Sequence, residues 1–367
     1  MKFLAGVFLI VGSTVGGGIL GLPIAAVNLG LAGSILAIVI IWIIMTFTGL
    51  CILKMSYKLP IEHNTFFTLS AKYLNFRGAR VTVFGSYLLI LYLTLAAYMF
   101  GIGAVVSVPL GQNSGLSYLI SGMFLIFILG SWIVYKPFIV IKSNVFFVTL
   151  KLFLIILTII LIFSYSFKVN ADTQSYPVFS IGSLSFILVA FNAFGYHFII
   201  PSLVKYYKGS CSFKSLVILL VISTSIIALL YMLWILAIFF TIPIEGVNGM
   251  NSIFNSDDQI VAFSNSIYLY TDSMAVSSAL NCFQFVSMIG SFCCISIGLM
   301  DNLKDALGQK AYFKTMVCAY SPPVILMSVS DNVFLLAMSL ARVLTLYIEV
   351  FVPIIGLKNY YSRTNAV

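Results

Sequence analysis

Gly12, Ser13, Thr14, Gly16, Gly17 and Gly18 lie inside an apolar run that begins at Phe3 and reaches Leu29. By length the run is a membrane-spanning helix. By composition its centre is a poor helix, since each glycine costs roughly 1 kcal/mol relative to alanine. In hydrocarbon, backbone that leaves the helix must find partners in protein, in water or on a ligand. A helix broken at the bilayer midplane presents N-terminal N–H groups from one half and C-terminal carbonyls from the other. The N–H groups suit a carboxylate and the carbonyls suit an ammonium or a cation. Three consecutive glycines let a guest approach the backbone, and Ser13 and Thr14 add hydroxyls. The pairs Gly12, Gly16 and Gly17, Gly21 also have small-xxx-small spacing, the mark of a close helix-packing seam. The stretch taken alone fits both readings. Gly16, Gly18 and Gly21 match G-x-G-x-x-G as well, but a dinucleotide site needs a preceding strand and an acid about 20 residues on, and neither is there.

A second constellation lies at 192–197. Phe194, Gly195, Tyr196 and His197 combine aromatic surface, a backbone break and a polar tip, with Pro201 just beyond. Asn192 can bond either a guest or freed backbone. A single intramembrane histidine is more often a satisfied core residue than a proton carrier. Charges inside a membrane are expensive, about 2.5–3.5 kcal/mol at a helix centre on insertion scales, so they mark function or paired structure. Lys151 stands some eight residues into its apolar run, roughly 12 Å from the start at helical rise. An ammonium held out of water can give up its proton as solvent access alternates; the alternative is a side chain snorkelling to the interface. Ser287, Ser291 and Ser296 share one apolar run and offer oxygen ligands for sodium, although serines in membrane helices usually bond their own backbone. Arg342 and Glu349 are seven residues apart, on nearly one helix face, which suits a structural or gating role. No free charge lies near the first break, so the expected guest is zwitterionic, a small amino acid.

These residues need a membrane scaffold to hold them. The 367 residues are 61% hydrophobic and 8% charged, against about 25% charged in a soluble chain. The pattern predicts an all-α polytopic membrane protein forming a single transmembrane domain over 1–367. Spanning runs fall near 3–29, 31–53, 81–108, 117–135, 144–167, 180–204, 214–241, 273–300, 312–329 and 332–357, with a short tail at 358–367. The N-terminus resembles a secretory signal, but apolar character resumes after the glycines. Placing Lys2 inside puts sixteen Lys and Arg in inner loops and the tail, and Lys168 alone outside. That asymmetry predicts both termini in the cytoplasm and accounts for the net charge of +9 without nucleic acid. Six cysteines without a CxxC, and two isolated histidines, predict neither a disulfide framework nor a metal site. No cofactor is expected; an ion gradient, H+ first, is the expected driving force. The segment 64–75 can form an amphipathic interfacial helix, and 243–272 can cap the outer side. No acid–base cluster suggests an enzyme, no soluble domain a sensor and no ring of charge or filter-like repeat a channel; a non-transporting sensor or channel is the competing class. Spans one to five begin inside and spans six to ten begin outside, so equivalent halves would form a five-plus-five inverted repeat. Interrupted helices at matching positions of two halves are the best sequence pointer to a transporter site, and here the first and sixth spans are both interrupted.

GSTVGGGILGLPIAAVNLG (12–30), LAAYMFGIG (95–103), FNAFGYHFIIPSLVKYYKG (191–209) and GSFCCISIGLMDNLKDAL (290–307) resemble the bacterial aromatic amino acid permeases, the tryptophan and tyrosine permeases of the amino acid–polyamine–organocation superfamily. The resemblance runs from the start of the chain to about residue 357 and is most specific in the first and sixth spans. It implies a leucine-transporter-type fold in the bacterial inner membrane and proton symport of tyrosine, tryptophan or phenylalanine. It further implies substrate contacts from Ser13, Thr14, Gly16, Gly17, Gly18, Asn192, Phe194, Gly195, Tyr196 and His197, and a coupling role for Lys151, because a lysine on this helix takes the place of a sodium ion in related transporters. The family usually has eleven spans against the ten counted here. The eleventh lies outside the inverted repeat, so its loss bears on oligomer contacts rather than on transport.

Overall fold

The computed structural model describes residues 2–60, 64, 66–74, 77–107, 117–124, 130, 137–166, 183–207, 211–256, 259–307, 312–329, 340–341 and 343–364. The first apolar run is two helices, α1 (Lys2–Thr14) and α2 (Gly18–Ala26), bent by 56° at their junction. They are followed by α3 (Gly30–Tyr57), α4 (Phe66–Tyr73), α5 (Arg77–Ser107), a helical stretch at 117–124 and α6 (Pro137–Ser166). Next come α7 (Ser183–Ala193), a 3-10 turn (His197–Ile199), α8 (Ile200–Tyr207) and α9 (Phe213–Phe239). Two shorter helices, α10 (Met250–Phe254) and α11 (Gln259–Thr271), lead to α12 (Met274–Leu307) and α13 (Tyr312–Val329). A π-helical turn (Tyr347–Phe351) opens α14 (Val352–Thr364). No strand occurs among the described residues.

Among the described residues seven helices are long and apolar enough to cross a membrane, and the bent pair makes eight. They coincide with eight of the ten expected spans. α13 covers the ninth, but it is only 18 residues long, with Pro322 and Pro323 inside it, and does not join the eight. Most of the fourth expected span, 117–135, lies outside the described residues, as do 332–339 and Arg342 of the tenth. Lys168 and Asp172 in the expected outer loop lie outside them too.

Both expected interruptions are present, at 15–17 and at 194–196. α2 packs on α7 and α1 on α9, so the broken helices meet in the centre of the bundle. α12 lies against α6 and α5, while α3 carries α8, α9 and α14. Segment 64–75 does form a helix, α4, but it is docked rather than loose. Phe66, Leu69 and Tyr73 are buried, Phe66 stacks on Tyr87 at 4.7 Å, and Asn359 Nδ2 donates to the Tyr73 carbonyl. In the segment expected to cap the outer side, α10 packs over α2, and Glu245 and Asp272 are exposed. None of the six cysteines is in a disulfide; Cys51, Cys293 and Cys294 are buried, whereas Cys282 and Cys318 are exposed.

Candidate functional site

The first break follows from close approach and not from unusual backbone angles. Gly17 is right-handed (φ −59°), and neither Gly16 nor Gly18 has a positive φ. A Cβ on Gly16 would stand 2.7 Å from both Ser291 Oγ and the Tyr98 hydroxyl. A Cβ on Gly18 would stand 3.2 Å from the Ala193 Cα. The glycines thus let the first break touch α12, α5 and the second break. Gly12 is a packing glycine, since its Cβ would overlap Val148 of α6. Seam and break coexist: Gly12 serves the former, and Gly16 with Gly18 serve both.

The freed carbonyls have specific partners. Helical bonding ends with Val15 N–H to the Val11 carbonyl (2.9 Å) and resumes with Ile19 N–H to Gly16 (3.3 Å). The Tyr231 hydroxyl of α9 lies 2.7 Å from the Ala193 carbonyl and 3.3 Å from the Thr14 carbonyl, and so bridges the two breaks. Ser287 Oγ donates to the Val15 carbonyl at 3.2 Å. Lys151 is fully buried and its ammonium donates to the Gly12 carbonyl, one turn before the break. This lysine does not reach an interface, as a snorkelling residue would. Ser13 and Thr14 donate to the Ile10 carbonyl at 2.9 and 2.7 Å, bonds that leave their oxygens free to accept.

At the second break, Gly195 N–H bonds the Asn192 carbonyl (3.1 Å), and helix resumes as Ile199 N–H meets the Tyr196 carbonyl (3.0 Å). Asn192 Oδ1 accepts from Thr345 at 3.2 Å. Phe194 packs edge-on against Tyr231, and the Tyr196 hydroxyl donates to the Met45 carbonyl at 2.8 Å. Both rings are buried in the wall behind the break. His197 is fully buried; its Nε2 is 2.8 Å from Thr48 Oγ1 and its Nδ1 is 3.0 Å from Glu349 Oε2. The Glu349 contact is close but off the line of a hydrogen bond. Glu349 sits in the middle of the π turn. Pro353, four residues on, has no N–H to give the Glu349 carbonyl, and the Val352 N–H bonds Tyr347 five residues back.

Between the breaks lies a cavity of about 50 Å³ lined by Ser13, Thr14, Gly18, Asn192, Gly195 and Glu349, among others. It is far below the roughly 300–1,000 Å³ of a ligand-filled pocket. A second cavity of about 440 Å³ opens between α1, α6, α8 and α12, and Phe198 lines both. A sequence model of the tryptophan/tyrosine permease family matches residues 1–366. The chain belongs to that family. It is 25% identical to the tyrosine-specific transport system 1 of Haemophilus influenzae, over 96% of this chain and 87% of that protein. It is 26% identical to the tryptophan-specific transport protein of Pseudomonas aeruginosa, over 96% and 85%. For the low affinity tryptophan permease of Escherichia coli the figures are 24%, 90% and 80%. The protein is therefore a multi-pass membrane permease and not an enzyme.

Of the residues expected to form the site, this permease brings Ser13, Thr14, Gly18, Asn192 and Gly195 around one cavity. Gly16 and Gly17 lie just beside it against Tyr98, whereas Phe194, Tyr196 and His197 stand behind its wall. Lys151 and Ser287 hold carbonyls of the first break. Ser291 and Ser296 are fully buried on α12. Sequence reasoning missed Tyr98, Tyr231, Thr345 and Phe198, and gave Glu349 only a gating role beside Arg342, which lies outside the described residues. Tyr98 falls inside the 95–103 stretch that carries the family resemblance, which was a usable signal. Tyr231 and Thr345 are ordinary residues of apolar helices and carry none.

Proposed function

We propose that this permease imports an aromatic amino acid, tyrosine or tryptophan, across the bacterial inner membrane by proton symport. Transport proceeds by alternating access around the two broken helices of a ten-span, five-plus-five inverted repeat, with both termini in the cytoplasm. The observation that carries the reading is the meeting of both breaks around one cavity, with Gly18 against Ala193 and Tyr231 across both. The N–H groups of Gly16–Gly18 suit the substrate carboxylate, and the Ser13 and Thr14 oxygens are at hand for its ammonium. Aromatic specificity is supported by the names of the relatives. Proton rather than sodium coupling is supported by Lys151, whose ammonium already holds a carbonyl of the first break where a cation would be drawn.

Proteoliposomes with an inward proton gradient and no sodium should accumulate labelled tyrosine or tryptophan, and a protonophore should abolish the accumulation. Uptake that requires sodium and ignores the protonophore would move the coupling to Ser287, Ser291 and Ser296. Competition by the twenty amino acids would define the side-chain preference.

A further inference from the structure

Glu349 and His197 form a buried acid–base pair of which Glu349 lines the cavity and His197 stands behind its wall. The Glu349 side chain is 9% exposed and His197 is 1% exposed. The carboxylate lies over the second break, where a Cβ on Gly195 would stand 3.4 and 3.6 Å from its two oxygens. It is the one carboxylate among the described lining residues of the cavity, and the π turn is what aims it there. Thr48 completes the pair from α3, with its hydroxyl 2.8 Å from His197 Nε2 and 3.1 Å from the carbonyls of both Ile44 and Met45.

This arrangement accommodates two proton counts without moving a heavy atom. With one imidazole proton, Nδ1–H faces Glu349 and Nε2 accepts from the Thr48 hydroxyl. With a second proton, Nε2–H donates to Thr48 Oγ1, and the threonine turns its own hydrogen to the Ile44 or Met45 carbonyl. The added proton is taken from solvent by way of Glu349, the member of the pair that lines the cavity. Other groups facing the pair among the described residues are Tyr196, stacked on the imidazole at 4.6 Å, and Tyr87 of α5, which is within electrostatic reach of Glu349. Asp301 and Asn302 of α12 face Tyr87, and Cys51 of α3 faces Tyr196. Each of these groups is neutral or acidic, so the proton itself is what cancels the Glu349 charge.

We propose that the His197–Glu349 pair, served by Thr48, is a proton-binding site that sets the affinity of the neighbouring glycine break for the substrate carboxylate. Unprotonated, the pair leaves a bare carboxylate beside the place where the substrate carboxylate binds, and like charges in a low-dielectric site oppose each other. Protonated, the pair is neutral and the repulsion is gone. Proton and substrate therefore bind with positive coupling, and by linkage each strengthens the other equally. That is the sign symport requires. The inference rests on the amino acid reading and adds a protonation site within the cavity, distinct from Lys151 behind the first break.

Binding of labelled tyrosine and tryptophan to purified protein between about pH 6 and pH 8 should weaken as pH rises, approaching about tenfold per pH unit, the slope of one coupled proton. In Glu349→Gln the affinity should stay near its low-pH value throughout. Thr48→Val should weaken binding more at low pH than at high pH, because the imidazolium loses a charge-assisted acceptor where the neutral ring loses only a neutral donor. A pH-independent wild type, or retention of the slope in Glu349→Gln, would overturn the proposal. So would loss of binding at every pH in Glu349→Gln, which would make Glu349 an anchor for the ammonium. Infrared difference spectra of the substrate-free protein between low and high pH read the pair whichever amino acid binds. Wild-type carboxyl and imidazole bands should vanish in Glu349→Gln; if they are absent from the wild type, the pair does not titrate and the proposal fails. If the bands are present while no aromatic amino acid binds, the substrate reading fails instead.

Discussion

At the scale of single residues, the site is held by polar side chains that each satisfy backbone freed by a break. A buried unsatisfied carbonyl costs about 1–3 kcal/mol, and the described spans contain several such groups. Tyr231 answers two of them, Ser287 one and Lys151 one. Lys151 differs from the others because it carries a charge through fully buried surroundings, an expense that a serine or glutamine could avoid. If its proton drives the cycle, Lys151→Gln should retain exchange of labelled for unlabelled substrate across the membrane. It should also lose net accumulation, which in the wild type can reach about tenfold per unit of pH gradient. Counterflow and gradient-driven uptake on the same proteoliposomes separate the two, and unchanged accumulation would leave Lys151 a purely structural partner of Gly12. Lys151 was legible in the sequence because a lysine within an apolar run is conspicuous. The partner of His197 was not: Glu349 is 152 residues away on another span, and nothing local to either residue announces the contact.

At the scale of elements, glycine positions gave away the first break, and the Gly195 motif the second. A run of three glycines inside a spanning length has few structural uses, and the packing shows two of them at once. What the sequence could not reveal is which glycine does which, because that depends on neighbours brought in from α5, α6, α7 and α12. The π turn was equally hidden; Pro353 is its only local sign, and a proline in a membrane helix also fits a simple kink. Gly17 tests the break itself. A Cβ there would come within 3.0 Å of the Tyr98 ring, and valine adds two further methyl groups to that contact. Gly17→Val should insert and purify as a single species yet lose at least about tenfold in substrate affinity, some 1.4 kcal/mol. Equilibrium binding alongside size-exclusion chromatography decides it; undiminished binding would return the residue to a packing role.

At the scale of the whole molecule, the two cavities describe an unequal pair of spaces joined at Phe198. The inner one has room for a few waters, while the outer one, at about 440 Å³, is large enough to admit an aromatic amino acid. The larger space is bordered by Lys205 and Asp301 and by α1 and α8, whose ends lie in the cytoplasm under the proposed orientation. Such a shape fits a transporter whose cytoplasmic vestibule is open while its binding site has closed down around nothing larger than solvent. Under the proposed alternating-access cycle the inner cavity would expand as substrate arrives and the vestibule would shut behind it, with Phe198, which lines both, between them. Ser202 is exposed on the vestibule wall. In a background with Cys294 and the other native cysteines replaced, Ser202→Cys should react with a membrane-impermeant thiol reagent in inside-out vesicles and not in intact cells. Saturating substrate should slow that reaction several-fold, because occupancy favours states in which the vestibule is shut. Equal labelling from both faces would contradict the orientation, and a rate indifferent to substrate would mean that the vestibule does not belong to the transport cycle.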